Sequence, residues 1–326
     1  MRIFRKLAKN LVVLAILALP LVGFWQRQAI FDWWRLRSYQ PTPAIAALAT
    51  DTQMTDQARH MFYVNHPQLL DQVETFRSSC TISEQTIVLG CYQPNQQGIY
   101  VYVVKDQRLS GIAQVTAAHE MLHAAYDRLS SKDKEYINQQ LEDYYKNQLG
   151  DERIKETIKS YKKTEPDDLI NEMHSIFATE IASLPPAMET YYQRYFKSRQ
   201  AVVEFSSRYE AEFTSRTTSA KALEAQLNAL RDKINSQEQA LKAEISAINA
   251  ERAKLDNLRS SGRTQEYNAA VDSFNAKVEA FNQQVAAYRR DVNSYNAILE
   301  QYNSIAGELR SLYGAIDTRV EATTTQ

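Results

Sequence analysis

Two histidines four residues apart, His119 and His123, have the spacing in this chain that best fits metal chemistry. Residues at positions i and i+4 of a helix share a face, so both imidazoles can reach one ion. Glu120, beside the first histidine, is placed to take a proton from water that the metal makes more acidic. Small, uncharged residues at 116–118 and 124–125 favour a buried helix over a solvated one. The pattern therefore predicts a zinc site.

A catalytic zinc site needs a third protein ligand besides the two histidines. Position 129, six residues beyond the motif, is where another zinc subclass would place a histidine, and here it is Leu129. A later helical segment carries the candidates Glu172, His174 and Glu180. The two glutamates share a helix face approximately, so one would bind the ion and the other would orient a ligand imidazole. Either glutamate alone would also fit a solvated helix charge, so spacing leaves the choice open.

The motif and its surroundings resemble the gluzincins, zinc peptidases with H-E-x-x-H on one helix and a ligand glutamate on a following helix. The resemblance covers about residues 99–186. In that group an asparagine often precedes the ligand glutamate, or a small residue follows three positions later. Asn171 and Ser175 match both habits. The resemblance therefore implies Glu172 as the third zinc ligand, with Glu180 as the alternative ligand or the partner of a ligand imidazole.

The same resemblance implies a zinc-dependent endopeptidase that acts on a protein or peptide substrate. Glu120 would be the general base and would pass the proton to the leaving amine. The edge strand that pairs with an extended substrate in gluzincins is assigned to residues 99–104. The chain departs from the larger members at Ile176, where they carry an aspartate, so the partner of the ligand imidazole is not identified.

No residue type or spacing fixes the donor that would stabilise the oxyanion. His174 is the candidate, with Tyr126 and Tyr191 as alternatives. A tyrosine in a chain with 19 of them serves packing more often than catalysis. His60 and His66 precede the strand-like segments and are expected to be structural.

The N-terminus combines basic residues with an apolar run from Leu11 to Trp25. This pattern predicts an uncleaved single-pass anchor, with the N-terminus in the cytoplasm and the rest of the chain outside it. The run is short for a span, which needs about 20 apolar residues, so a cleaved signal peptide is the alternative. However, no small-x-small cleavage site follows closely. Trp25, Trp33 and Trp34 cluster as expected where a helix leaves the bilayer.

The only two cysteines are Cys80 and Cys91. Outside the cytoplasm they are expected to form a disulfide, which would stabilise the fold by about 2–3 kcal/mol. Two unrelated buried thiols are the alternative, and the spacing does not fit a metal site. The net charge of −1, with no long basic stripe after the first ten residues, argues against a nucleic-acid partner.

Glycine and proline are scarce, at 8 residues each, which favours a mainly helical protein. Residues 86–92 and 99–104 are rich in strand-forming side chains, and the turn residues between them predict a hairpin or two neighbouring strands. One helix is expected to begin near Thr55. Further helices are predicted at 111–129, 132–149, 152–162 and 168–183.

Two heptad series fill the C-terminal third of the chain. The first places Leu or Ile every seventh residue from Leu227 to Leu255, and the second alternates valine with phenylalanine or tyrosine from Val271 to Tyr295. Residues 260–262 break the pattern between them. The series predict an antiparallel coiled-coil hairpin with arms about 60 Å long. The heptads do not distinguish binding of a partner protein from self-association of the hairpin. They also leave open whether each arm pairs within the chain or with a second copy.

The fold class expected is α+β, mainly α, with a small zincin-like domain, a short β-sheet, a long helical hairpin and an N-terminal transmembrane helix. The boundaries expected are an anchor and interfacial segment at 1–37, a linker at 38–50, a metallopeptidase domain at 51–215, the hairpin at 216–318 and a disordered tail at 319–326. The alternative to a peptidase is a coiled-coil envelope scaffold or adaptor with a vestigial or structural zinc domain. An intact Glu120 favours the enzyme, because a structural site needs no base.

Overall fold

The computed structural model describes residues 26–80, 87–94 and 98–319. Within them the protein is mainly helical, with one small three-stranded sheet and two long C-terminal helices, which confirms this part of the predicted fold class. The chain forms two compact units. The first unit comprises the described residues up to Ala211 together with residues 315–319, and the second unit comprises Glu212–Gly314.

The first unit opens with three short helices and continues with a sheet and a helical layer. The helices before the sheet are α1 (Arg27–Leu36), α2 (Pro43–Asp51) and α3 (Asp56–Val64), and α4 (Val73–Ser79) lies between the first two strands. After the sheet follow α5 (Ile112–Asp127), α6 (Ser131–Asn147), α7 (Glu152–Thr164), α8 (Leu169–Glu180) and α9 (Pro186–Tyr192). Helix α5 contacts α2, α3, α8 and two strands, so it lies at the centre of this unit.

The predicted linker at 38–50 is wrong, because helix α2 occupies most of it. The Thr42 hydroxyl accepts a hydrogen bond from the backbone N–H of Ile45, and Pro43 occupies the first helical turn. Ile45 and Leu48 are buried in the core. Both start signals were present in the sequence, but the Pro-Thr-Pro and alanine composition suggested a connecting segment instead.

The sheet has the strand order β1-β3-β2. Its strands are β1 (Gln68–Leu70), β2 (Gly90–Gln93) and β3 (Gly98–Tyr102). Strand β2 runs antiparallel to β3, which confirms the two neighbouring strands predicted from the sequence, and β1 runs parallel to β3. Because β3 is hydrogen-bonded on both sides, residues 99–104 cannot provide an edge for a substrate. That assignment is wrong, and the edge strand of this segment is β2.

A disulfide joins Cys80, at the end of α4, to Cys91 in β2, as predicted. The two Cα atoms are 5.9 Å apart, within the usual range for a disulfide. Cys80 is buried. The bond therefore fixes the edge strand of the sheet to the preceding helix.

The second unit is formed by parts of two long helices, α10 (Gln200–Ser260) and α11 (Thr264–Ile316). Gly262, with a φ of 74°, forms the turn between them. Ion pairs join the two arms, including Lys233 to Asp291 at 2.9 Å. The heptad leucines Leu227 and Leu255 are buried. The arms therefore pair within one chain, and self-association of the hairpin stays a prediction.

Among the described residues, no helix combines the length and the apolar character needed to cross a membrane. The predicted anchor run from Leu11 to Trp25 lies outside the described residues. The same holds for the predicted disordered tail from residue 320 onward. Arg319, the first residue of that predicted tail, is described and forms an ion pair with Asp317 at 2.8 Å.

Candidate metal centre

Two packed helices bring the candidate metal ligands together. Helix α5 carries His119 and His123, and α8 carries Glu172 in its first turn. The alanines at 117–118 and 124–125 are fully buried. Their small side chains allow the two helices to approach closely.

The three side chains lie close enough together to hold one metal ion. His119 Nε2 is 3.5 Å from Glu172 Oε2, and His123 Nε2 is 3.3 Å from Glu172 Oε1. Two ligand atoms of a tetrahedral zinc ion lie about 3.4 Å apart. One ligand atom from each of the three residues lies within 4.8 Å of the others. Residue types, number and spacing therefore suit zinc, with the fourth position left for water or substrate.

The electrostatics of the cluster are those of a carboxylate between two imidazoles. Glu172 is only 6% exposed. Burial acts to raise the pKa of its carboxyl, but the charges of the two imidazoles and a hydrogen bond from Tyr161 lower it. Burial acts to lower the pKa of His119, but the hydrogen bond and charge of Glu172 raise it to about 9. Without a metal, a proton on His119 therefore supplies the positive charge that the buried carboxylate requires.

Buried polar atoms without ordinary hydrogen bonds mark the same place. The buried atoms His123 Nδ1 and Asn171 Oδ1, together with Glu172 Oε2, whose contact with His119 Nε2 is a long 3.5 Å, make no hydrogen bond of ordinary geometry. Buried polar atoms in proteins are nearly always hydrogen-bonded, so three such atoms at one site are unusual. A metal ion would satisfy the Glu172 oxygen. The His123 Nδ1 atom lacks the partner that usually orients a ligand imidazole, in agreement with the missing aspartate at Ile176.

Glu120 lies next to the ligand cluster and is 5% exposed. Strand β2 passes directly over it at Gly90. A Cβ atom at Gly90 would lie 2.7 Å from Glu120 Oε1 and would overlap Thr116 Cγ2. Only glycine allows the strand to approach Glu120 this closely, so the strand packs directly against the side chain of the candidate base.

The cluster opens into a cleft of 280 Å³ between β2 and the helices α5, α7 and α8. Besides the three ligand residues and Glu120, the cleft is lined by Tyr161 and by residues 90–94 of the edge strand. Its carboxylates are Glu120, Asp127, Glu165, Asp168 and Glu172. Tyr161 and the carboxylates of Asp127, Glu165 and Asp168 were not found from the sequence. Only the four-residue spacing of Asp168 and Glu172 at the start of α8 was a usable signal.

Glu180, the alternative ligand, lies at the other end of α8 with a different partner. Its Oε2 atom is 2.7 Å from Arg153 Nη1, and the same guanidinium contacts Glu210 at 3.4 Å. Glu180 does not line the cleft. The structure thus brings Glu172, and not Glu180, to the two histidines.

His174, the candidate oxyanion donor, is fully buried behind the cleft. Its Nε2 atom is 3.0 Å from the Tyr191 hydroxyl, and Tyr192 donates to its backbone carbonyl. Burial lowers the pKa of His174 to about 3, so the ring is neutral. Tyr126 donates to Asn138 and also lies outside the cleft lining. The structure places none of the three proposed donors at the cleft.

The two remaining histidines contact helix α1. His60 Nε2 is 3.0 Å from Asp32 Oδ2, and His66 Nε2 is 3.1 Å from the Arg35 carbonyl oxygen. The His66 ring also stacks on Tyr39, with centroids 4.6 Å apart. Neither histidine lines the cleft, in agreement with a structural role.

Comparisons with known protein families, with curated proteins and with solved structures found no match to this chain. The resemblance to the gluzincins therefore depends on residues 99–186 alone. Within that stretch, His119, Glu120, His123 and Glu172 meet at one cleft, whereas Ser175 and residues 99–104 do not line it.

Proposed function

We propose that this protein is a zinc-dependent peptidase, anchored to the membrane with its cleft outside the cytoplasm. The observation that carries the proposal is the meeting of His119, His123 and Glu172 at ligand distances, with Glu120 beside them. Two imidazoles and one carboxylate form a ligand set that catalytic zinc sites use. A scaffold with a structural metal would need no buried carboxylate beside its ligands, so Glu120 favours the enzyme.

A zinc ion bound by these residues would polarise a carbonyl group and lower the pKa of water to about 7. Glu120 would accept the proton of the attacking water and deliver it to the leaving amine. The low exposure of Glu120, at 5%, keeps bulk water from competing for that proton. Glu172 and the two histidines would hold the ion, and Tyr161 would steady Glu172 by a hydrogen bond.

The edge strand supports a peptide as the substrate. Strand β2 pairs with β3 on one side, and in the described part of the chain no strand pairs with its other side. An extended peptide can add to such an edge through main-chain hydrogen bonds. Residues 90–94 line the cleft, so a peptide bound there would pass close to Glu120.

The disulfide supports a location outside the cytoplasm. The Cys80–Cys91 bond forms and persists in oxidising compartments, whereas cytoplasmic thiols are kept reduced. The basic residues before the apolar run at 11–25 support an anchor whose N-terminus stays inside. The helical hairpin would then recruit a partner or set the distance from the membrane.

Removal and return of zinc test the proposal. The full chain in detergent would be stripped with a chelator and followed for cleavage of an unstructured protein. We expect cleavage to disappear on stripping and to return with a stoichiometric amount of zinc. Glu142→Gln, a change at an exposed glutamate of α6, is the matched control and should behave as the unaltered chain. Cleavage that survives complete zinc removal would refute the proposal, and zinc binding without any cleavage would favour the scaffold.

A further inference from the structure

Helix α1 presents an apolar face to solvent. Ile30, Trp33 and Trp34 are 52%, 64% and 55% exposed. Positions 30, 33 and 34 have the i, i+3, i+4 spacing of one helix face. Exposed tryptophans grouped on one face mark a surface that contacts an apolar partner.

The opposite side of α1 carries polar residues, of which Asp32 is buried, Arg35 is half-buried and Gln28 is exposed. Gln28 donates to Asp32 at 2.9 Å, and Arg35 donates to the Val64 carbonyl oxygen at 3.0 Å. A surface helix of a soluble protein has its apolar residues inside. In α1, by contrast, the most exposed large side chains are apolar and the one buried residue is Asp32, while Phe31 and Leu36 are half-buried. Such an exposed apolar face is expected where the outer surroundings of a helix are not water.

The polar side of α1 is held firmly. Arg128 donates to both oxygens of Asp32, at 2.8 and 3.2 Å, and His60 contacts the same carboxylate at 3.0 Å. Asp32 is 5% exposed. Arg128 directly follows Asp127, a residue that lines the cleft. The exposed tryptophans thus belong to a helix that is already fixed in place beside the candidate site.

The sequence before α1 indicates what covers its outer face. Four basic residues precede an apolar run from Leu11 to Trp25. Only Gln26 separates the end of this run from Arg27, the first residue of α1. Tryptophan prefers the boundary between head groups and acyl chains, where its ring is buried and its N–H stays hydrated. A lipid surface therefore fits both the composition of the face and its place in the chain.

We propose that α1 is an interfacial helix that lies along the surface of the bilayer, with Ile30, Trp33 and Trp34 immersed at the head-group boundary. Because Asp32 and Arg128 join α1 to the end of α5, the cleft is held at a fixed height over the lipid. Substrates would be segments close to the membrane surface. The proposal rests on the membrane location proposed above, and it is independent of the metal chemistry.

The three tryptophans of the chain allow a direct test by fluorescence. The full chain would be reconstituted in phosphatidylcholine–phosphatidylglycerol vesicles that contain lipids brominated on the acyl chain. Trp25→Phe leaves only the indoles of α1, and the double variant Trp33→Phe/Trp34→Phe leaves only Trp25. We expect the emission of the α1 indoles to shift to the blue and to lose most of its intensity. Bromines near the carbonyl end should quench more strongly than bromines near the methyl end.

The two variants separate the ways in which the proposal can fail. Quenching of Trp25 alone, with α1 emission typical of water, would retain the anchor and overturn the docking of α1. A blue shift of the α1 indoles without quenching by lipid would overturn it in favour of a second copy of the chain. Absence of quenching in both variants would overturn the docking and the membrane location together, and would leave the metal proposal untouched.

Discussion

The two ends of helix α8 carry two glutamates with different partners. In the first turn, Glu172 lies between His119 and His123. In the last turn, Glu180 forms a 2.7 Å ion pair with Arg153. Both are carboxylates of the same helix, and the sequence alone made both of them candidates for the metal.

The two glutamates differ in whether their positively charged partner can lose its proton. A guanidinium stays charged at every accessible pH, so Arg153 satisfies Glu180 permanently. An imidazole loses its proton when it binds a metal. The Glu172 end can therefore exchange a proton for an ion, whereas the Glu180 end cannot. A buried carboxylate beside histidines, which can be neutral, therefore indicates a metal site more strongly than a buried carboxylate beside an arginine.

Replacing each glutamate by glutamine should give the largest contrast. We expect Glu172→Gln to weaken zinc binding more than about 100-fold, since even a lost partner of a ligand costs 10–100-fold. Glu180→Gln should leave the affinity unchanged. Competition with a chromophoric chelator measures both. A larger loss at Glu180 would reverse the assignment of the two ends.

Gly90→Ala should separate proton transfer from metal binding. The added Cβ would lie 2.7 Å from Glu120 Oε1, so the carboxylate or the strand must move. A displacement of about 1 Å near a reacting group can reduce the rate about 100-fold. Zinc content should not change, because the three atoms nearest to the new methyl group belong to Thr116 and Glu120 and not to a metal ligand. Unchanged cleavage kinetics in Gly90→Ala would show that Glu120 does not depend on this contact.

The affinity of the Glu172 cluster for zinc should depend on pH. Because Glu172 raises the pKa of His119 from its ordinary value of 6.5 to about 9, the ring is protonated at neutral pH in the metal-free chain. Zinc must displace that proton. The affinity should therefore rise about tenfold per pH unit from neutral pH and level off near pH 9.

The two glutamate variants provide a control for this slope of zinc affinity against pH. Glu180→Gln should keep this slope, since Glu180 is paired with Arg153 and contributes least among the carboxylates that raise the pKa of His119. In Glu172→Gln the slope should vanish above about pH 7, because the carboxylate that retains the proton is gone. An affinity independent of pH in the unaltered chain would contradict the proposed exchange of proton for metal.

The Glu180 end should show a small effect on stability instead. Glu180→Gln removes an ion pair in which Arg153 is 37% exposed, so solvent screens much of it. We expect the metal-free protein to lose about 1 kcal/mol or less of unfolding free energy. Denaturant unfolding measures it, with Glu142→Gln as the exposed control. A loss of several kcal/mol would mean that this end is a structural centre of the fold.

The features that could be predicted from the sequence are those that a local pattern of residues determines. The spacing of His119 and His123 gave the site helix, and heptads gave the hairpin, because in both cases neighbours along the helix carry the signal. Asn171 and Ser175 favoured Glu172 only through a family resemblance. The ion pair of Glu180 with Arg153 depends on how α7 and α8 pack, which no local pattern reveals.

What was missed depends on distant contacts. Strand β1 has only three residues, too few to show an alternating pattern. Its partners in β3 lie 32 positions further along the chain, as in the pair Leu70 and Tyr102. Without β1, the segment at 99–104 looked like an edge. His174 was proposed as a donor because histidine is chemically versatile, but its environment of buried tyrosines holds it away from the cleft.

The cleavage rate of the Glu120→Gln variant, with zinc determined on the same sample, tests directly whether Glu120 is the proton acceptor of a zinc peptidase. We expect one zinc ion per chain in the variant and in the unaltered protein. Cleavage by the variant should fall about 100-fold to 10,000-fold, because glutamine cannot accept the proton. Cleavage at the unaltered rate, with zinc still bound, would rule out this mechanism.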